Sequence, residues 1–226
     1  MSEAGKAVGR ACTVICEETY RGELAARHGC VLQESRVTVL LAPAHPDTAT
    51  PPLPIGAVHF AVFRPRYFPG ERLPADLHAD IHGPITTAWD LDSDRPAGWL
   101  MERHPELRPE FLVLARIEIV TPGRRIGLSV TADIINRHLP PGGVALVNPC
   151  PLEFVGLEFQ CGRGASEAEI AAGLARLSRH YARLGFQSPD QPGLMTLLRP
   201  WRPLVAPPVN LLFTDAELAA LRARQK

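Results

Sequence analysis

The stretch that decides the fold runs from Phe111 to Val147. It reads Phe111-Leu-Val-Leu-Ala-Arg-Ile-Glu-Ile-Val120, then Thr121-Pro-Gly-Arg-Arg125, then Ile126-Gly-Leu-Ser-Val-Thr-Ala-Asp-Ile-Ile-Asn-Arg-His138, then Leu139-Pro-Pro-Gly-Gly143, and finally Val144-Ala-Leu-Val147. The first segment is apolar and β-branched, as a strand requires. In the third, Val130, Ile134, Ile135 and His138 recur at helical spacing, and the Pro-Pro-Gly-Gly run stops the helix. The last segment is short and wholly apolar, the pattern of a strand buried on both faces. Strand, helix and strand within this length predict a βαβ unit with parallel neighbouring strands.

Working outward, Arg36–Leu41 and Ala57–Phe63 are β-rich runs on either side of residues 42–55, a stretch with five prolines. They are expected to be neighbouring antiparallel strands joined by that loop. Leu73, Leu77, Ile81, Ile85 and Trp89 recur every four residues, a helical stripe that Gly83-Pro84 should kink or end. Downstream, Ser166-Glu-Ala-Glu169 has the form of a capping box, followed by Ile170, Leu174, Leu177, Tyr181 and Leu184 on one helical stripe, with Gly185 as C-cap. Met195–Leu198 reads as the last strand, and Thr214-Asp-Ala-Glu217 is a second capping box opening a terminal helix. The expected organisation is an N-terminal extension over residues 1–30, one α+β or α/β domain with a mixed sheet over 31–213, and a C-terminal helix over 214–226.

The chain has 226 residues, 46% hydrophobic and 21% charged, with 24 Lys+Arg against 24 Asp+Glu. That is the composition of an ordinary globule, and a zero formal charge supplies no long-range field for nucleic acid or anionic lipid. No apolar run approaches the roughly 20 residues that span a bilayer, and no basic-then-apolar leader is visible, so a cytoplasmic protein is expected. The five cysteines are read as reduced thiols. His78-Ala-Asp-Ile-His82 has the i, i+4 spacing of a helical metal site, but Ala79 stands where a metalloprotease carries Glu. Asp90-Leu-Asp-Ser-Asp94 starts like a calcium loop, yet Arg95 replaces the required Gly. No metal is therefore expected.

Val120–Ser129 runs off a strand through a Gly- and Arg-containing turn into a helix N-terminus. Unpaired N–H groups and the positive end of the helix dipole suit a phosphate there, and Arg124 and Arg125 add charge-assisted donors. Tyr181-Ala-Arg-Leu-Gly-Phe186 ends the second helix. Taken in order, Ile119-Val-Thr-Pro122, Gly123–Gly127, Val144–Val147 and Tyr181–Phe186 resemble the GNAT N-acetyltransferase superfamily over residues 111–187. One departure stands out: Arg125 and Pro122 occupy positions where the superfamily turn carries Gly and Arg or Gln.

The resemblance implies a GNAT-like fold and direct transfer of an acetyl group from acetyl-CoA to a small-molecule or peptide amine. It also implies coenzyme contacts from Val120, Gly123, Arg124, Arg125, Ile126, Gly127, Leu128 and Ser129. Tyr181 resembles the acid that protonates the departing thiolate, and Glu118 lies where a base is often found. Asn148, directly after the short parallel strand, is counted with the coenzyme-binding residues and is expected to orient acceptor or water. Each residue also has a plainer reading: Tyr181 as a core aromatic, Glu118 as the ion-pair partner of Arg116, and Asn148 as a turn residue. Neither nucleic acid nor membrane is an expected partner, and a homodimer is permitted. With its glycine replaced, the turn also allows a GNAT-fold binding module without turnover, and an unrelated α/β domain is the third reading.

Overall fold

The computed structural model describes residues 10–25, 31–44, 50–65, 79–121, 123–149, 166–188, 193–206, 208–209 and 211–224; of residues 20–25 and 31 only the backbone is described. In chain order the elements are β1 (Arg10–Ala25), β2 (Val31–Pro43), β3 (Leu53–Arg64), α1 (Ala79–Ala88), β4 (Trp89–Asp90), β5 (Arg95–Pro96), α2 (Gly98–Arg103) and β6 (Phe111–Ile119). There follow α3 (Ile126–His138), β7 (Val144–Val147), α4 (Glu167–Ala182), β8 (Met195–Leu198), β9 (Leu212–Phe213) and α5 (Asp215–Ala223).

Seven strands form one mixed sheet in the order β8-β7-β6-β3-β2-β1-β9. The β6–β7 contact is parallel, with Phe111 opposite Val144 and Leu114 opposite Val147. The remaining neighbours are antiparallel. Side-chain alternation sends Leu112, Leu114, Phe60, Val62, Ala145 and Val147 to one face, where Ile126, Leu128, Ile134 and Ile135 of α3 and Tyr181, Leu184 and Phe186 cover them. Phe111, Val113, Ala61, Phe63, Val144 and Leu146 face the other way, onto Ile81, Ile85, Trp89 and Leu100. Both faces are covered, so β7 carries no polar side chain. Each fully buried Val or Leu there contributes about 1.5–3 kcal/mol of transfer free energy.

Three details depart from the sequence expectation. Residues 10–25, placed in an N-terminal extension, form β1, paired with β2 from Cys12–Pro43 to Ala25–Val31. The strand is integrated because Cys12, Val14 and Cys16 alternate onto the same core as α3. Met195–Leu198 is not the last strand, since β9 pairs Leu212 and Phe213 with Ala11 and Arg10. Pro84 lies buried inside α1 instead of ending it. The Thr86 hydroxyl donates to the His82 carbonyl and the Thr87 hydroxyl to that of Gly83, taking up carbonyls of that turn.

The β3–β6 ladder carries one irregularity that shapes the site. His59 is opposite Arg116 and Phe60 opposite Leu114, so Ala115 is an extra residue, a β-bulge. The bulge shifts the alternation by one position. Leu112 and Leu114 precede it on the α3 face, and Ile117 and Ile119 follow it on that same face. Past the bulge the two strands come unusually close, and a Cβ on Gly56 would stand 2.0 Å from the Glu118 carbonyl oxygen.

Two glycine substitutions should therefore act with opposite signs. Gly56→Ala forces the ladder apart and should cost about 1–3 kcal/mol. Gly98→Ala, at the first position of α2, meets nothing within 4 Å beyond its chain neighbours and should stabilise by about 0.4–1 kcal/mol. Denaturant midpoints of the two variants check this; a Gly56→Ala protein as stable as wild type would contradict the close approach.

Candidate functional site

β7 stops pairing with β6 at Val147, opposite Leu114, whereas β6 continues to Ile119. Among the described residues no strand pairs with the β7-side edge of Ala115–Ile119. β7 thus ends at the bulge while β6 runs on, and this step, the fork, leaves backbone N–H and C=O groups of the longer strand without a strand partner among the described residues. Asn148, exposed, follows the last residue of β7.

The longer strand delivers the chain to the start of α3. The Val120 N–H donates to the Ile55 carbonyl at 2.9 Å, tying the end of β6 to β3. Gly123 has φ +77°, a left-handed conformation natural to glycine. Arg125, the N-cap of α3, adopts φ 62° and ψ 13°, and no side chain caps the helix. The first-turn N–H groups thus lack the usual hydroxyl or carboxylate acceptor. Thr121 is only 7% exposed, and its buried hydroxyl has no hydrogen-bond partner among the described residues. Ile126 and Leu128 anchor the first turn in the core, while Val120, Gly123 and Arg125 are exposed and Gly127 and Ser129 half-buried. The Ser129 N–H already donates to the Arg125 carbonyl at 3.2 Å. The eight turn residues expected to contact a coenzyme therefore gather around one uncapped helix N-terminus.

Arg124 is turned elsewhere. Its side chain is 15% exposed and forms an ion pair with Glu217 of α5. Its guanidinium donates to the Leu212 carbonyl at 2.5 Å and lies 3.8 Å from the centroid of the Phe213 ring. Three contacts of different kinds, charge, hydrogen bond and cation–π, clasp the turn to the C-terminal segment. Glu217 closes the capping box of α5 with Thr214. Hydrogen bonding from the Thr214 backbone, then from the Arg124 guanidinium, holds its carboxyl below the usual range.

Tyr181 sits near the end of α4, 8% exposed, in the core that holds Leu114, Val147, Ile117 and Ile119. Phe186 meets its ring edge-on at 5.9 Å, and His180 at 5.6 Å. Burial pushes the phenol up to about 12, so it keeps its proton throughout the neutral range. Glu118 alternates to the opposite face from Ile117 and Ile119 and accepts from Arg116 Nε at 2.7 Å. Tyr181 and Glu118 are thus on different faces of the sheet.

His180, Thr121 and the Phe213–Glu217 clasp are features of the site that the sequence reading did not single out. His180 is half-buried, and desolvation, followed by the Arg183 charge, holds it below the ordinary histidine value. The Glu217–Arg124 contact joins residues 93 apart in sequence, beyond the reach of any local pattern. Comparison with protein-family models, curated proteins and solved structures finds no match.

The remaining candidates stand apart from the fork. His82 belongs to α1, while His78 lies outside the described residues, and no group of three metal-ligating side chains occurs among those described. Asp90–Asp94 forms the β4–β5 hairpin turn, with Asp90 accepting from the Ser93 hydroxyl at 2.5 Å. Cys12 and Cys16 are free thiols; Cys30, Cys150 and Cys161 lie outside the described residues. No described helix is long and apolar enough to cross a membrane.

The clasp makes a pH prediction. A carboxyl lowered in the folded state stabilises fully above its unfolded value of about 4.5 and loses that contribution as the pH falls through the folded value. Glu217→Gln should therefore be less stable than wild type at neutral pH, and the two denaturation midpoints should converge as the pH drops below the carboxylate range. A constant difference across the acid limb would show that Glu217 acts through packing alone.

Proposed function

We propose that the chain is a GNAT-type N-acyltransferase that moves an acetyl group from acetyl-CoA directly to an amine of a small molecule or peptide. The observation that carries this reading is the fork: β7 ends opposite Leu114, beside the Ala115 bulge, while β6 runs on to the N-terminus of α3, which no side chain of a described residue caps. A coenzyme A molecule has two parts that match it. Its pantetheine arm is extended and carries two amides, which can bond with an unpaired strand edge as an added strand would. Its pyrophosphate is an anion suited to the N–H groups at the start of α3, with Gly123 and Arg125 beside them.

In the reaction the amine lone pair attacks the thioester carbonyl carbon, and collapse of the tetrahedral adduct breaks the C–S bond. The departing thiolate takes a proton and the amine gives one up. Tyr181 is the donor to the sulfur, a role supported by its place in the core that contains Leu114 and Val147. The amine proton passes to solvent water; Glu118, on the other face of β6 and bonded to Arg116, is not positioned to receive it directly. Asn148, directly after β7, orients the acceptor or that water.

A second reading, a GNAT-fold binding module without turnover, is favoured by one observation: Arg124, the natural phosphate ligand of the turn, is held by Glu217, Leu212 and Phe213.

Calorimetry with acetyl-CoA, paired with turnover over a panel of amines, separates the two. Micromolar binding with acetyl transfer is the expected result, and Arg125→Ala should weaken binding by about 1–3 kcal/mol. Tyr181→Phe should lower kcat about 10²–10⁴-fold with little change in coenzyme affinity or melting temperature. Binding without transfer supports the module, and absence of binding overturns both.

A further inference from the structure

A second concavity lies away from the fork, where the start of β1, the end of β2, the start of β3 and α5 meet. It encloses about 450 Å³, within the roughly 300–1,000 Å³ typical of small-molecule sites. Its apolar wall includes Cys12, Leu41 and Leu53, and Leu218 of α5. Its charged residues are Arg10 and Arg222, with no carboxylate among the described lining residues.

These two cations are not equivalent. Arg10 Nε pairs with Asp215 Oδ1 at 2.5 Å, both side chains being largely exposed. Arg222 makes no ion pair with any described residue, although it projects from the last turn of α5, next to the pocket. Among the described residues, then, the pocket has apolar walls and only cations as charges, which leaves two needs unmet. Apolar surface stays in contact with water, and a guanidinium suited to a planar carboxylate has none.

From this we infer that the pocket binds an anionic amphiphile of low molecular weight, a carboxylate with a medium-length alkyl chain. The chain lies against Leu41, Leu53 and Leu218, and the carboxylate meets Arg222, with Arg10 adding to the field. Neither half of such a ligand binds well alone: a short carboxylate leaves the apolar wall wet, and an uncharged alcohol leaves the arginine unpaired. The assignment is independent of the coenzyme reading, since no lining residue belongs to the fork or to the α3 turn.

Calorimetric titration with decanoate, held below its micelle concentration, tests the inference alongside decanol and acetate. Saturable one-to-one binding of decanoate is expected, at least tenfold tighter than either analogue. Arg222→Ala, a substitution at an exposed helix position, should weaken decanoate binding tenfold or more without moving the melting temperature or acetyl-CoA affinity. Arg222→Lys, which keeps the charge and loses the planar fork, should fall between. No saturable heat, equal affinity for decanol, or an unchanged affinity in Arg222→Ala would overturn it. Sedimentation of the protein with phosphatidylglycerol vesicles in the absence of any decanoate binding would also overturn it, showing a lipid surface rather than a soluble amphiphile to be the source of the anion.

Discussion

The rest of the molecule depends on four residue pairs, Phe111–Leu114 against Val144–Val147 in parallel register. A parallel pair needs a crossover between its strands, and here the crossover is α3, which lays Ile126, Leu128, Ile134 and Ile135 across the sheet. That covers one face. Burial of the other face under α1, Trp89 and Leu100 lets these strands dispense with polar side chains. Because the pairing stops after four residues while β6 runs on, the same contact that organises the core also creates the fork.

The bulge at Ala115 reconciles the two demands. Without an extra residue, Arg116 and Glu118 would inherit the inward positions of Leu112 and Leu114. With it, Ile117 and Ile119 return to the core, and the two charged residues pair with each other at the surface. Gly56 completes the arrangement by letting β3 approach the Glu118 carbonyl. At the end of the strand the Arg124 clasp joins the α3 turn to β9 and α5. In the acyltransferase reading the clasp sets how far Arg124 contributes to phosphate binding, and Gly123, Arg125 and the first-turn amides are the groups left to do so.

Much of this frame was legible because it is local. The apolar runs of β6 and β7, the Pro140-Pro-Gly-Gly143 stop and both capping boxes are short-range patterns, and each forms where it was read. The phase slip from Leu114 to Ile117 was also present in the letters, as a change in alternation that marks a bulge. β1 was harder to see. Its inward residues include Cys12 and Cys16, which drew attention as thiols rather than as the apolar side of a strand, and Glu17 and Glu18 interrupt the pattern. The two-residue β9 and the clasp arise from contacts across most of the chain, which no window of sequence contains. Among the candidate residues, the turn forms one contiguous patch, while Tyr181 and Glu118 lie on different faces of the sheet.

The central claim is that the edge of Ala115–Ile119 and the first turn of α3 form one binding surface for coenzyme A. Amide hydrogen exchange, measured with and without coenzyme A, tests it at the backbone groups themselves. The account predicts that added coenzyme A slows exchange together at Ala115–Ile119 and Ile126–Leu128 and leaves the β1–β2 ladder unchanged. Slowing confined to other segments, or none at saturating coenzyme A, would contradict it.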